Sequence, residues 1–174
     1  MKTVVIMSHS YYKDSRVNKA LFEAAKSVDN VEVRHLEEIY GTDTSKIDVA
    51  TEQKILENAD RVVFQFPLFW FGMPPMLKAY VDLVFAHGWA YGTGGDKLKG
   101  KQFQIAVSSG VAEAEYSKQG KVALAYDELL LPLQTTGGYC GMNINKIFVS
   151  GGALNASDDD IKNYADKYVT LLKN

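Results

Sequence analysis

Five short apolar runs constrain this chain more than any other feature. They cover residues 3–8, 31–36, 61–66, 101–107 and 146–150. Each is rich in β-branched or aromatic residues and too short for a stable helix, so each reads as a strand. Between them lie stretches with helical spacing. Val17, Leu21, Ala24, Ala25 and Val28 mark one face. Val49, Ile55, Leu56 and Ala59 mark a second, and Ile161, Tyr164, Tyr168 and Leu172 a late third. Strands alternating with helices predict an α/β domain with a doubly wound, five-stranded parallel sheet and helices on both faces. No repeat, linker or low-complexity segment interrupts it, and 174 residues suffice for one domain spanning 1–174.

The connections differ in character. Run 31–36 alternates apolar and polar residues, as a strand near a sheet edge does. Residues 37–46 read as a polar connection. Pro74 and Pro75 open a helix over 74–85 that is apolar almost all round, with only Lys78 and Asp82 charged. Such a helix calls for cover on two sides, from the sheet and from a second subunit or the long loop 86–98. A helical stretch over 122–131 is expected to end at Pro132. Ser157 followed by three aspartates reads as the start of the last helix.

Several function classes are excluded. Net charge is -2 and the pI about 5.9, so no basic surface marks a nucleic-acid partner. The first residues lack a signal-peptide core and cleavage site, and no stretch has transmembrane length, so a cytoplasmic protein is expected. The single cysteine, Cys140, rules out an intrachain disulfide and reads as a small buried hydrophobe. His9, His35 and His87 share no ligand spacing, and no metal is expected. The dinucleotide fingerprint GxGxxG, the GxxxxGK[ST] loop and the GxSxG elbow are all absent.

In a doubly wound sheet, ligands bind where the strand order reverses, at the carboxyl ends of the strands. Three loops can meet there. The first carries His9, Ser10, Lys13, Ser15, Arg16 and Asn18 into a helix N-terminus, an anion site by construction. Ser15 and Asn18 read equally as helix caps, His9 as a structural histidine and Gly110 as a turn residue. The loop after the third strand is aromatic, with Phe69, Trp70 and Phe71 ahead of Gly72, which lets the backbone bend. The loop after the fourth strand offers Ser108, Ser109, Gly110 and Tyr116. Phosphate at one end and a flat ring at the other describe a mononucleotide, and FMN fits best.

The run from Phe66 to Pro74, followed by Leu77-Lys78, Asp82 and Val84-Phe85, resembles the signature of the NAD(P)H:quinone oxidoreductase family. That flavodoxin-like group includes bacterial FMN-dependent quinone reductases and ancillary subunits of glutathione-gated potassium efflux systems. The resemblance implies that His9, Ser15, Arg16, Val17 and Asn18 hold the flavin phosphate and ribityl tail. It implies that Pro67, Leu68, Phe69, Trp70 and Phe71 line the isoalloxazine ring, and that Ser108, Ser109, Gly110 and Val111 reach its pyrimidine edge. Tyr116 matches a family tyrosine beside the flavin, and Gly110 and Tyr116 are the implied catalytic donors. Two departures stand out. No histidine occurs near Val122, where mammalian members have one, and Ser108-Ser109-Gly110-Val111 replaces the Thr-Thr-Gly-Gly of many relatives. Without the C-terminal extension of the FAD-using members, FMN is favoured over FAD.

The implied activity is two-electron transfer from NAD(P)H, as co-substrate, through FMN to a quinone or similar flat acceptor by a ping-pong mechanism, in a homodimer. Two alternatives stand beside it. One is a regulatory ancillary subunit of a membrane potassium efflux transporter. The other is a flavodoxin-type electron carrier, disfavoured because the hydroxyl-and-glycine phosphate loop is missing.

Overall fold

The computed structural model describes residues 1–174. Its sheet is parallel throughout. The strands run in the order β2 (Val31–His35), β1 (Thr3–Met7), β3 (Arg61–Pro67) and β4 (Gln102–Ser108). Two short segments share the next position, β5 (Asn143–Ile144) against the start of β4 and β6 (Phe148–Ser150) against its end. The expected fifth strand, 146–150, is thus shortened to β6, with β5 as an additional pairing before it. In the gap between them the Lys146 carbonyl accepts the Gln104 side-chain amide at 2.7 Å.

Consecutive residues in the central strands point to opposite faces, and both faces are covered. Val4, Ile6, Phe64, Phe66, Phe103 and Ile105 enter the larger core, whereas Val5, Val63 and Ala106 enter the smaller one. Helices α1 (Val17–Lys26) and α7 (Asp158–Lys173) close the smaller core through Leu21, Tyr168 and Leu172. The larger core is covered by α2 (Leu36–Tyr40), α3 (Val49–Glu57), α4 (Pro75–Val84), α5 (Tyr126–Leu129) and α6 (Leu131–Tyr139). The Ser157 hydroxyl caps α7 by accepting the Asp160 amide at 3.1 Å. Arg61, buried at the start of β3, donates to the carbonyls of Leu171 and Leu172 at the other end of that helix. No helix is long and apolar enough to cross a membrane.

Two expectations about helices need correction. The connection 37–46 contains α2 and a 3-10 turn, Thr44–Lys46. Tertiary contacts stabilise it: Glu52, fully buried on α3, accepts hydrogen bonds from Arg34, Tyr40 and Tyr80. Pro132 does not end a helix over 122–131. It opens α6, where its missing N–H falls in the first turn. The Thr-Thr-Gly-Gly run of α6 has low helix propensity, but a Cβ on Gly137 would lie 2.7 Å from the Phe103 ring, so glycine lets the helix sit directly on the sheet. Within a single chain, α4 is covered on one side only. Met76, Leu77, Tyr80 and Val84 are buried, while Leu83 is 42% exposed and Lys78 pairs with Asp82 on the open face.

Candidate functional site

The strand order reverses between β1 and β3, and a cleft of about 400 Å³ opens at their carboxyl ends. Its walls combine the loops after β1, β3, β4 and β6.

The first loop closes in a 3-10 turn, Tyr12–Asp14, and then enters α1. Ser15 Oγ accepts the Asn18 amide at 3.2 Å, while the amides of Arg16 and Val17 have no acceptor in the chain. Asn18 does more than cap. Its side-chain amide donates to Ser108 Oγ at 2.8 Å, and its carbonyl accepts from Gln65 Nε2 at 3.0 Å. It thereby ties α1 to β3 and β4, and its Oδ1 is left buried without a partner. His9 is buried between the loops. Its Nδ1 accepts the Tyr11 amide at 3.1 Å and its ring meets Phe69 edge-on at 5.7 Å. Burial pushes the imidazole pKa down, which agrees with a neutral, accepting Nδ1. Arg16 lines the cleft, but its guanidinium donates to the Ala156 carbonyl at 2.8 Å and pairs with Asp158 at the start of α7.

On the outer side of this loop lies a second cavity, of about 510 Å³, lined by His9, Tyr12, His35 and Glu37 among others. Histidines far apart in sequence meet there. Glu37 accepts the Ser8 hydroxyl at 2.7 Å and lies 3.4 Å from His35 Nε2. Burial alone would raise its carboxyl pKa, but the close approach of the His35 ring and the Ser8 hydrogen bond outweigh it and hold the group below its usual range. Glu37 thus anchors the point where β1 gives way to the loop.

After β3, the Leu68 amide donates to the Ser108 carbonyl at 2.8 Å and keeps the second loop against the third. Phe69 and Gly72 exchange two 3.0 Å hydrogen bonds and close a tight turn. Gly72 is not the residue that bends. Positive φ falls on Trp70 (44°) and Phe71 (64°), the pattern of a type I′ turn. Pro67, Leu68 and Phe69 form the cleft wall, whereas Trp70, 94% exposed, and Phe71 stand out at the tip.

Ser108 and Gly110 line the opposite wall. A Cβ on Gly110 would meet Leu154 at 3.0 Å, so the loop after β6 packs closely there. Ser109 is buried behind the wall and Val111 is 44% exposed at its rim. Tyr116 is not on the wall at all. The loop turns back through a 3-10 segment, Glu113–Glu115, and the Tyr116 ring stacks on Tyr126 with centroids 4.2 Å apart. The sequence reading missed Tyr11, Asp14, Ala153 and Leu154, which also line the cleft. The last two follow a strand ended by Gly151-Gly152, and that ending was the available signal.

The arrangement has one end rich in free amide donors, an apolar shelf, and a backbone donor loop facing it. The residues suit a flavin mononucleotide: unpaired helix amides fit a phosphate, and the orphaned Asn18 Oδ1 fits a ribityl hydroxyl.

The sequence model of a family described as having a flavodoxin-like fold matches residues 1–172. An uncharacterised NAD(P)H oxidoreductase of Bacillus subtilis, YrkL, is 41% identical over 99% of this chain and 98% of its own length. The solved structure of general stress protein 14 from Treponema denticola in complex with FMN is 36% identical, with a TM-score of 0.93 over 99% of this chain and 98% of that one. A structure named as a thermophilic tryptophan halogenase from Streptomycin violaceusniger is 39% identical, with a TM-score of 0.91 over 95% of each chain. Full-length identity at this level, on the fold and aromatic loop described above, makes the chain a member of the flavodoxin-like NAD(P)H:quinone oxidoreductase family.

Proposed function

We propose that this protein is an NAD(P)H-dependent oxidoreductase that works through bound FMN and delivers two electrons to a quinone or a similar flat acceptor. The observation that carries this reading is the convergence, on one cleft at the switch point, of a helix N-terminus with free amides, an apolar shelf and a loop of backbone donors. FMN supplies the two-electron carrier.

The rest is the work of the chain. Ser15, Arg16 and Val17 hold the phosphate through the α1 N-terminus, and His9 and Asn18 hold the sugar-alcohol tail. Pro67, Leu68 and Phe69 floor the ring, with Trp70 and Phe71 as an overhanging rim that excludes water and stacks on a flat acceptor. Ser108, Ser109, Gly110 and Val111 frame its pyrimidine edge, and the Gly110 and Val111 amides donate where negative charge develops. Tyr116 packs behind this loop through its stack on Tyr126, away from the reacting face. One open face serves donor and acceptor in turn, which gives ping-pong kinetics. A homodimer is part of the reading: Val81, Phe85 and Tyr139 line a cavity of about 490 Å³ between α4 and α6, and Leu83 and Leu131 are exposed on those helices, apolar surface a second copy would cover.

The test is the visible spectrum of the FMN-reconstituted protein without oxygen. A flavin band that NADPH or NADH bleaches and menadione restores is expected. No bound flavin would overturn the reading. Flavin that stays oxidised with both nicotinamides would shift it to an ancillary subunit of a potassium efflux transporter. A long-lived one-electron state would shift it to a carrier. Tryptophan, chloride and oxygen offered to the reduced protein are expected to yield no chlorinated product.

A further inference from the structure

Ser109 is buried, and its hydroxyl has two neighbours. It donates to the Val111 carbonyl at 3.1 Å, and the Tyr126 hydroxyl lies 2.6 Å away. With the one Ser109 proton given to Val111, Tyr126 is the donor of the shorter bond. Tyr126 begins α5 and is itself buried against Tyr116. Burial raises the phenol pKa well above its usual value, so the hydroxyl keeps its proton.

This chain of two hydrogen bonds ends on a loop whose peptides all face one way. The carbonyls of Ser109, Gly110 and Val111 accept the amides of Ala153, Leu154 and Gly152 at 2.8, 3.3 and 2.7 Å. Turning three successive carbonyls toward the loop after β6 leaves the Gly110 and Val111 amides with no acceptor in the chain. Successive free amides of this kind form an anion-binding concavity. The Val111 carbonyl, which takes both the Gly152 amide and the Ser109 hydroxyl, is the hinge of the arrangement.

We propose that Tyr126 is a positioning residue: through Ser109 it sets the orientation of the 109–111 peptides and so aims the Gly110 and Val111 amides at the flavin. The second half of this statement rests on the FMN reading above; the first half does not. Packing alone would also bury Tyr126, and Tyr126→Phe separates the two, since it keeps the ring and its stack on Tyr116 and removes only the hydroxyl.

Two measurements test it. In the FMN-free protein, amide exchange at Gly152, Ala153 and Leu154 is expected to speed up about tenfold in Tyr126→Phe, the worth of one buried hydrogen bond. Exchange in β1 and β3 should not change. Ser109→Ala should give the same increase, and the double variant no more, because both residues belong to one chain of bonds. In the FMN-loaded protein, the two-electron midpoint potential should become more negative by about 20 mV, corresponding to roughly fivefold weaker preference for the reduced flavin. Exchange at residues 152–154 within about twofold of the parent in both single variants would overturn the proposal and leave Tyr126 as packing. Faster exchange with an unchanged potential would overturn the link to the flavin. Failure of the parent protein to bind FMN would sink the functional reading, while the exchange result would still decide the role of Tyr126.

Discussion

The two ends of the cleft are built on opposite principles. At the α1 end, Asn18 is 2% exposed and joins three elements, His9 is wedged between two loops, and Glu37 pins the end of β1. At the aromatic end, Trp70 and Phe71 occupy the left-handed region in a turn that favours Asn-Gly, with the larger ring almost wholly in solvent. The first end is tied down before any ligand arrives. The second holds two bulky residues in a conformation that costs about 1 kcal/mol or more each, set against an edge-on contact between their own rings and the half-burial of Phe71. Strain and exposure retained together point to a role in contacts outside the chain, whereas the α1 end serves folding and binding at once.

This contrast can be broken or sharpened by experiment. The largest effect is expected at the tied end. Asn18→Ala removes the buried donor to Ser108 Oγ while leaving the carbonyl that Gln65 bonds, and should cost about 2 kcal/mol in denaturant unfolding. It should also weaken FMN binding about tenfold by fluorescence titration; loss of affinity with full stability would separate two roles that the geometry joins. At the strained end the signs should oppose. Trp70→Asn combined with Phe71→Gly should raise stability by about 1–2 kcal/mol and lower quinone turnover. A destabilised double variant would mean that the turn is not strained.

A smaller effect is expected from pH. The folded-state pKa of His9 lies below its ordinary 6.5, so the unfolded chain takes up the proton first as pH falls. Stability is therefore fully present above pH 6.5 and declines below it. The Glu37 contribution is lost only below that carboxyl's ordinary 4.5. His9→Gln should flatten the melting temperature between pH 7 and 5, and an unchanged slope would remove His9 as its source. The smallest effect is at Tyr116. With its ring stacked on Tyr126 away from the cleft, Tyr116→Phe should leave flavin affinity and reduction within about twofold of the parent. A tenfold loss in stopped-flow reduction would require the loop to reorder around the ligand.

How much was legible in the sequence follows from what kind of interaction sets each feature. Alternation in Val4–Ile6 and Val62–Phe66 encodes both buried faces of the sheet, since side-chain direction in a strand has a period of two residues. The aromatic loop and the α1 donors were readable for the same reason: they follow strands, and strand ends in an open α/β sheet define the cleft. The split between β5 and β6 was not readable, because the Lys146 carbonyl in the gap bonds a side chain, Gln104, 42 positions away. Nor was α6, whose helix rests on the fit of Gly137 against Phe103 rather than on propensity.

Chain order and periodicity alone therefore determined the strand–helix alternation, the two-faced core and the three loops that could meet. Only the tertiary structure decided which members of those loops face the cleft. Trp70 stands at a tip, Tyr116 turns away, and Leu154 from the loop after β6 comes in. The physical reason is that periodicity specifies the direction of a side chain inside a regular element. In a loop, direction is set by hydrogen bonds and packing with residues as far as 142 positions away in the chain, as Arg16 with Asp158 illustrates.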